Sequence, residues 1–274
     1  MTSLRVPPID ELERIVRAYR SASLSSRREE LLDELFNSYQ TINFEFGYDA
    51  PLWRSRQAPD ADGYRHHRDL HLPPTSLTPA GRLNDPGEPV LYLSLNQFST
   101  FAEVAAKPGD HIHIAAYRIK TPQKIRCAVV GEVYSVHRSA RATTSDQLTE
   151  QINRLLCNSD YRAARSWVYM DAFVADLLSN LNAAQDNYEA SRSIARRIFG
   201  QNPNVDAIWY PGIALRNGVN FALKPEAAHR LLEMQFAHVV RVDRVFEFGI
   251  YDFTVVRQSG GVEDDGAFNW VADH

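Results

Sequence analysis

Ile9, Leu12, Ile15 and Val16 recur at intervals of three and four, a spacing that predicts a helix with one apolar stripe. Pro7, Pro8 and Asp10 stand at its start, where helix-opening residues belong. A Ser-rich break, SASLSSRRE, separates it from a second helix that ends near Tyr39 and carries Leu31, Leu32, Leu35 and Phe36 as its stripe. The two form an N-terminal helical extension over residues 1–47, read as a packing cap or a partner-binding module.

From Tyr48 onward the texture changes. PLWRSRQ, residues 51–57, reads as a short strand with Arg54 and Arg56 on one face, because alternate strand residues point the same way. A polar loop over residues 58–88 holds five prolines, and a connection of that length inside a domain is usually functional or disordered. VLYLSL reads as a buried strand and FSTFAEVAA as a short helix starting near Ser99 or Thr100. HIHIAAYRI and IRCAVVGEVYSV are β-branched, alternating runs and predict two more strands. Residues 146–199 return to helical spacing in three segments. VDAIWYPG and GVNFALKP then read as strands about a Pro-Gly turn, EAAHRLLEM as a short helix or loop, and residues 237–257 as two further strands. Strands and helices are segregated, which predicts an α+β fold. The main unit is residues 48–274, with a helical insertion at about 145–200.

Composition narrows the class. Hydrophobic residues at 44% and charged residues at 23% fit a globular protein with a real core. A net charge of −4 gives no basic footprint, so no nucleic-acid partner is expected. The two cysteines, Cys127 and Cys157, are read as buried free thiols in a reducing compartment. The first twenty residues lack the apolar core of a secretory signal, and no stretch approaches about 20 apolar residues, so a cytoplasmic, non-membrane protein is expected.

The chemistry-bearing residues sort by elimination. In YRHHRDLH, His67 and His71 have a metal-like spacing, but the segment is a Pro-bounded loop without the glutamate of an H-E-x-x-H site. It is read as a solvated or substrate-facing loop, with no metal. His111 and His113 share one strand face and are read as satisfied, partly exposed residues. There is no G-x-S-x-G elbow, no His beside Cys127 and no Gly-rich phosphate loop. Arg54, Arg82, Tyr92 and Glu103 remain. Arginine offers a planar fork for phosphate, tyrosine a face for an aromatic ring, and a carboxylate steadies a developing oxocarbenium ion. Cleaving the N-glycosidic bond of a dinucleotide uses all three.

The same residues carry a family resemblance. LWRSRQ, TPAGRLNDPGEPVLYLSLNQFSTFAEVAAKPGDHIHIAAYRI and VDAIWYPGIALRNGVNFALKP resemble, in order, the RES domain of bacterial toxin–antitoxin pairs. The resemblance implies an ADP-ribosyltransferase-like mixed β core and cleavage of NAD+ at the nicotinamide–ribose bond, by hydrolysis or phosphorolysis. NAD+ is then a consumed substrate and not a cofactor, and a cognate antitoxin is an expected partner. Glu103, Arg54 and Tyr92 take the catalytic positions, and Arg82, Arg56, Asn84, Tyr210, Gly212 and Asn220 the substrate-binding ones. The family serine after Tyr-Pro is replaced here by Gly212, following Tyr210 and Pro211. Two alternatives stand beside cleavage: ADP-ribosylation of a protein or nucleic acid, and a non-catalytic NAD+- or ADP-ribose-binding protein of the same fold. The residues leave a homo-oligomer open.

Overall fold

The computed structural model describes residues 6–143, 145–212 and 218–271. Residues 213–217, between the Pro-Gly turn and the GVNFALKP strand, lie outside them. The N-terminal stripes form helices α1 (Ile9–Ser21) and α2 (Ser25–Phe36). Strands β1 (Ile42–Phe46), β2 (Leu52–Gln57) and β3 (Leu91–Ser94) follow. Helix α3 (Gln97–Glu103) leads to β4 (His111–Ile119) and β5 (Ile125–Val129). The next four helices are α4 (Glu132–Ser139), α5 (Asp146–Cys157), α6 (Tyr161–Leu178) and α7 (Glu189–Gln201). Strands β6 (Ala207–Pro211) and β7 (Val219–Leu223), helix α8 (Pro225–Leu231) and strands β8 (Leu232–Phe246), β9 (Ile250–Val262) and β10 (Phe268–Trp270) complete the chain.

The strands form one mixed sheet in the order β1-β5-β6-β7-β3-β2-β4-β8-β9-β10. Among the described pairings only β5 with β6 is parallel. With its segregated helices the architecture is α+β, as the pattern of elements predicts. One face of the central strands presents Ala128, Ile208 and Ala222 to a core shared with α1, α2, α6 and α7. The other face carries an aromatic cluster in which the Trp209 ring lies 5.2 Å from Phe46 and 5.3 Å from Phe221. A smaller core sets Phe101 of α3 against Ile112, Ile114 and Val240.

Asp171 of α6 joins three parts of the chain. Its buried carboxylate accepts from the Tyr39 hydroxyl at 2.9 Å and from the N–H groups of Gly131 and Tyr134 at 2.9 and 3.0 Å. Burial raises its pKa, and these hydrogen bonds work against that rise. The N-terminal extension, the start of α4 and the helical insertion are thereby locked together.

Several expectations needed adjustment. Residues 125–136 read as one strand, yet β5 ends at Val129, Gly131 turns with φ 89°, and Val133 and Val136 become the buried side of α4. β-branched residues at positions three apart suit either element, and only the Gly131 turn decides. Helix α3 starts earlier than Ser99, because Asn96 caps it by accepting from Phe98 and Ser99 N–H. INFEF, within the segment read as helical extension, is strand β1 and pairs with β5 at the sheet edge. Cys127 is buried but Cys157 is exposed. Among the described residues no helix is long and apolar enough to cross a membrane.

His113 is fully buried rather than partly exposed. Its Nδ1 accepts from Tyr64 N–H at 3.0 Å, and burial, then the nearby His238 and Arg257, lowers its pKa to about 3. Between that value and the ordinary histidine value of about 6.5, the unfolded chain binds a proton that the folded one refuses, so stability falls as pH falls. Unfolding free energies from denaturant titrations measured from pH 7 down to 4 should therefore decline, by up to about 1.4 kcal/mol per pH unit for this group. His113→Leu should flatten that slope.

Candidate active site

β2 pairs with β4 along its whole length, and β3 pairs with β7 along its own. Between β2 and β3, however, there is a single register pair, Trp53 with Ser94. The sheet opens there, and a cleft of about 280 Å³ occupies the opening. It is lined by Arg54 from β2, Arg82 from the Gly81 turn, Tyr92 from β3, Glu103 from α3, Tyr210 from β6 and Asn220 from β7. The register explains part of this convergence. Trp53, Ser94, Asn220 and Tyr210 oppose one another in sequence across four adjacent strands, so their side chains share a face.

Arg54 reaches across the opening, and its Nη1 donates to the Tyr92 carbonyl at 3.3 Å. Its Nε is buried with no partner among the described residues. Burial is the main cause of its lowered pKa. A desolvated guanidinium with no carboxylate partner among the described residues is costly, and an anion in the cleft would offset that cost.

Tyr92 supplies a wall and a strut. Its hydroxyl donates to Asn84 Oδ1 at 2.8 Å and accepts from Leu83 N–H at 2.8 Å. Burial raises the phenol pKa. Asn84 donates to the carbonyls of Pro79 and Asp85, so its amide is committed to the turn and does not line the cleft. Gly81 is required by this packing, since a Cβ there would lie 2.3 Å from Asn84 Oδ1.

Arg82 extends from the same turn. Its Nη1 donates to the carbonyls of Leu178 and Asn180 at 3.1 and 3.0 Å, at the C-terminal end of α6. The partial negative charge of a helix C-terminus favours a cation there. On the other side of the cleft, Glu103 Oε1 accepts from Asn220 Nδ2 at 2.8 Å. Asn220 is 4% exposed, and its Oδ1 is buried without a partner among the described residues. Burial first, and then the Glu103 carboxylate, push the Tyr210 phenol pKa well up. The phenol therefore stays protonated.

Arg56 and Gly212 lie outside this lining. The Arg56 guanidinium donates to the Asp69 carbonyl and lies over the Tyr64 ring, 5.0 Å from its centroid. Gly212 N–H donates to the Gly218 carbonyl at 2.7 Å, and a Cβ at 212 would stand 3.0 Å from the Gly218 carbonyl carbon. The histidine loop is likewise structural: the His71 ring stacks on His229 at 4.9 Å, and burial lowers its pKa to about 4. Among the described residues no three His, Cys, Asp or Glu side chains converge for a metal.

Trp53, Ser55, Ser94, Thr100 and Tyr188 also line the cleft and were not singled out by sequence. Ser94 lies in the LYLS strand beside Tyr92, and its alternation with Tyr92 was a usable signal. Tyr188 comes from the helical insertion, and nothing in its local sequence marks it.

The RES domain family model matches residues 51–243, a span that contains every residue named in the lining. No curated protein matches the sequence. Among solved structures, that of the M. tuberculosis MbcT–MbcA toxin–antitoxin complex is similar at 12% identity, with a TM-score of 0.34 over 77% of this chain and 92% of that one.

Tyr92→Phe removes the strut while keeping the ring, leaving Leu83 N–H and Asn84 Oδ1 unpaired. It should cost about 1–3 kcal/mol in denaturant unfolding. Gly81→Ala, which forces Asn84 to move, should lower stability as well.

Proposed function

The chain belongs to the RES domain family, and on that premise we propose that it cleaves NAD+ at the nicotinamide–ribose bond as a toxin-type, NAD+-depleting enzyme. The observation that carries the reading is the hydrogen bond from Asn220 to Glu103 in the same cleft as the desolvated, partly unpaired Arg54. A held carboxylate and an anion-hungry guanidinium suit the two ends of one half of the dinucleotide.

In the proposed reaction the bond between ribose C1′ and the pyridinium nitrogen breaks. Its electron pair goes to that nitrogen, and nicotinamide leaves neutral. The positive charge passes to the ribose as an oxocarbenium ion, which the Glu103 carboxylate stabilises. Asn220 fixes the carboxylate's orientation, and its free Oδ1 accepts from a ribose hydroxyl. Water adds through oxygen to C1′ and releases a proton, giving ADP-ribose; phosphate in its place gives the phosphorylated sugar. Arg54 and Arg82 hold the pyrophosphate, with Arg82 using donors left over from the α6 carbonyls. Tyr92 contributes its ring alone, because its hydroxyl is spent on Leu83 and Asn84. NAD+ is the consumed substrate and no cofactor takes part. A cytoplasmic setting and a cognate antitoxin go with this reading.

Gly212 favours a second reading, in which the cleft binds NAD+ or ADP-ribose without turnover. A single neutral hydrogen bond is worth about 0.5–1.5 kcal/mol, so even a hydroxyl that reached the ligand would change the rate about tenfold at most, and its absence does not by itself abolish the reaction.

Purified protein incubated with NAD+, with and without phosphate, should release free nicotinamide, and Glu103→Ala should lower that rate by about a hundredfold or more, as loss of a transition-state charge partner does. NAD+ bound but never turned over by wild type would select the second reading. Radiolabel retained on a macromolecule would select ADP-ribosyl transfer.

Gly212→Ser should bring no gain in rate, because Gly212 is not among the residues lining the cleft and a Cβ there would crowd the Gly218 backbone. A gain approaching tenfold would show that the family hydroxyl acts here.

A further inference from the structure

The helical insertion ends inside the cleft. Tyr188, immediately before α7, lines it from the side of the Gly81 turn. Its backbone has φ 57° and ψ 25°, a left-handed conformation that a tyrosine disfavours, and it follows Asn187, a residue type that tolerates the same conformation, at φ 51°. The conformation is held from several directions. Tyr188 N–H donates to the Ala183 carbonyl at 2.6 Å, and its own carbonyl accepts from Arg192 N–H at 2.9 Å and the Ser191 hydroxyl at 3.2 Å. The Arg82 guanidinium lies over the Tyr188 ring, 5.4 Å from the centroid.

Two groups of residues stand out in the cleft lining. Glu103, Asn220 and Tyr210 form one: Asn220 bonds Glu103, and Tyr210 sits opposite Asn220 in the strand register. Arg82 and Tyr188 form the other: the guanidinium lies over the Tyr188 ring, and the Tyr92 hydroxyl holds the turn that carries Arg82. A dinucleotide carries matching chemistry: an aromatic ring at the reacting end, two phosphates, and a second aromatic ring.

We propose that Tyr188 stacks on the adenine ring of the substrate, so that the helical insertion makes the cleft select a dinucleotide over a mononucleotide. This rests on the NAD+-cleaving reading of the same site. Arg82, lying against the Tyr188 ring, then meets the phosphate next to the adenosine, and the constrained backbone at residues 187 and 188 holds the ring in place before substrate arrives. Base–aromatic stacking tolerates any purine and supplies affinity instead of chemistry, so Tyr188 affects KM and leaves kcat alone.

The test compares nicotinamide release from NAD+ and from oxidised nicotinamide mononucleotide by wild type, Tyr188→Ala, Tyr188→Leu and Tyr188→Phe. Tyr188→Ala and Tyr188→Leu should raise KM for NAD+ about tenfold, with kcat for NAD+ and both constants for the mononucleotide within about twofold of wild type. Tyr188→Phe should restore KM. Equal losses on both substrates, or no change on either, overturn the proposal. If wild type cleaves neither substrate, the cleavage reading fails, and calorimetry with ADP-ribose and ribose 5-phosphate tests Tyr188 separately. Weaker ADP-ribose binding in Tyr188→Ala, with ribose 5-phosphate binding unchanged, supports the adenine contact. No ADP-ribose binding by wild type, or equal binding by the variant, overturns it.

Discussion

The hydroxyl of Tyr92 ties the cleft together. It donates to Asn84 and accepts from Leu83 N–H, which helps fix the turn at the end of a long polar loop. The turn aims Arg82 at the end of α6, and there Arg82 meets both the helix-terminal carbonyls and the Tyr188 ring. A strand, a loop and a helical insertion are thus joined through one half-buried phenol. Because unpaired polar groups in such a place are costly, each member of the chain constrains the next.

The second constraint is the interruption of the sheet between β2 and β3. A continuous ladder there would leave no room for a ligand. The single register pair, Trp53 with Ser94, keeps the strands adjacent while the space beside it opens. Among the described residues, Arg54 bridges part of the opening to the Tyr92 carbonyl and keeps one donor unpaired. On the far side, Asn220 pairs with Glu103 and, among the same residues, keeps one acceptor unpaired. A buried donor and a buried acceptor left over in one cleft describe the ligand that would satisfy them: an anionic group and a hydroxyl- or amide-bearing group on the same molecule.

Much of this was legible from residue order. Period-two alternation located β4 at HIHIAAYRI, and three- and four-residue spacing located α1, α2 and the insertion helices. Arg54, Arg82, Tyr92 and Glu103 do meet, as do Tyr210 and Asn220. Arg56 and Asn84 show where local reasoning stops. Arg56 shares a strand face with Arg54 by parity, but the Asp69 carbonyl and the Tyr64 ring engage its guanidinium, and both arrive from the folded-back loop. Asn84 belongs to the turn motif, yet its amide supports the turn internally. The strand-to-helix switch after Val129 was hidden because valines at positions three apart serve either period.

The sequence alone determined the α+β class, the family and the charged residues of the cleft, because periodicity and motif order are properties of neighbouring positions. Tertiary structure decided which side chains face the ligand and which are consumed in holding the frame. It opened the sheet at one register pair, committed the Tyr92 hydroxyl and the Asn84 amide to the turn, set Gly212 against the Gly218 backbone, and brought in Tyr188 from almost a hundred residues beyond Tyr92. Those outcomes depend on hydrogen bonds and contacts between segments distant in the chain, and no local pattern encodes which distant partner a polar group will find.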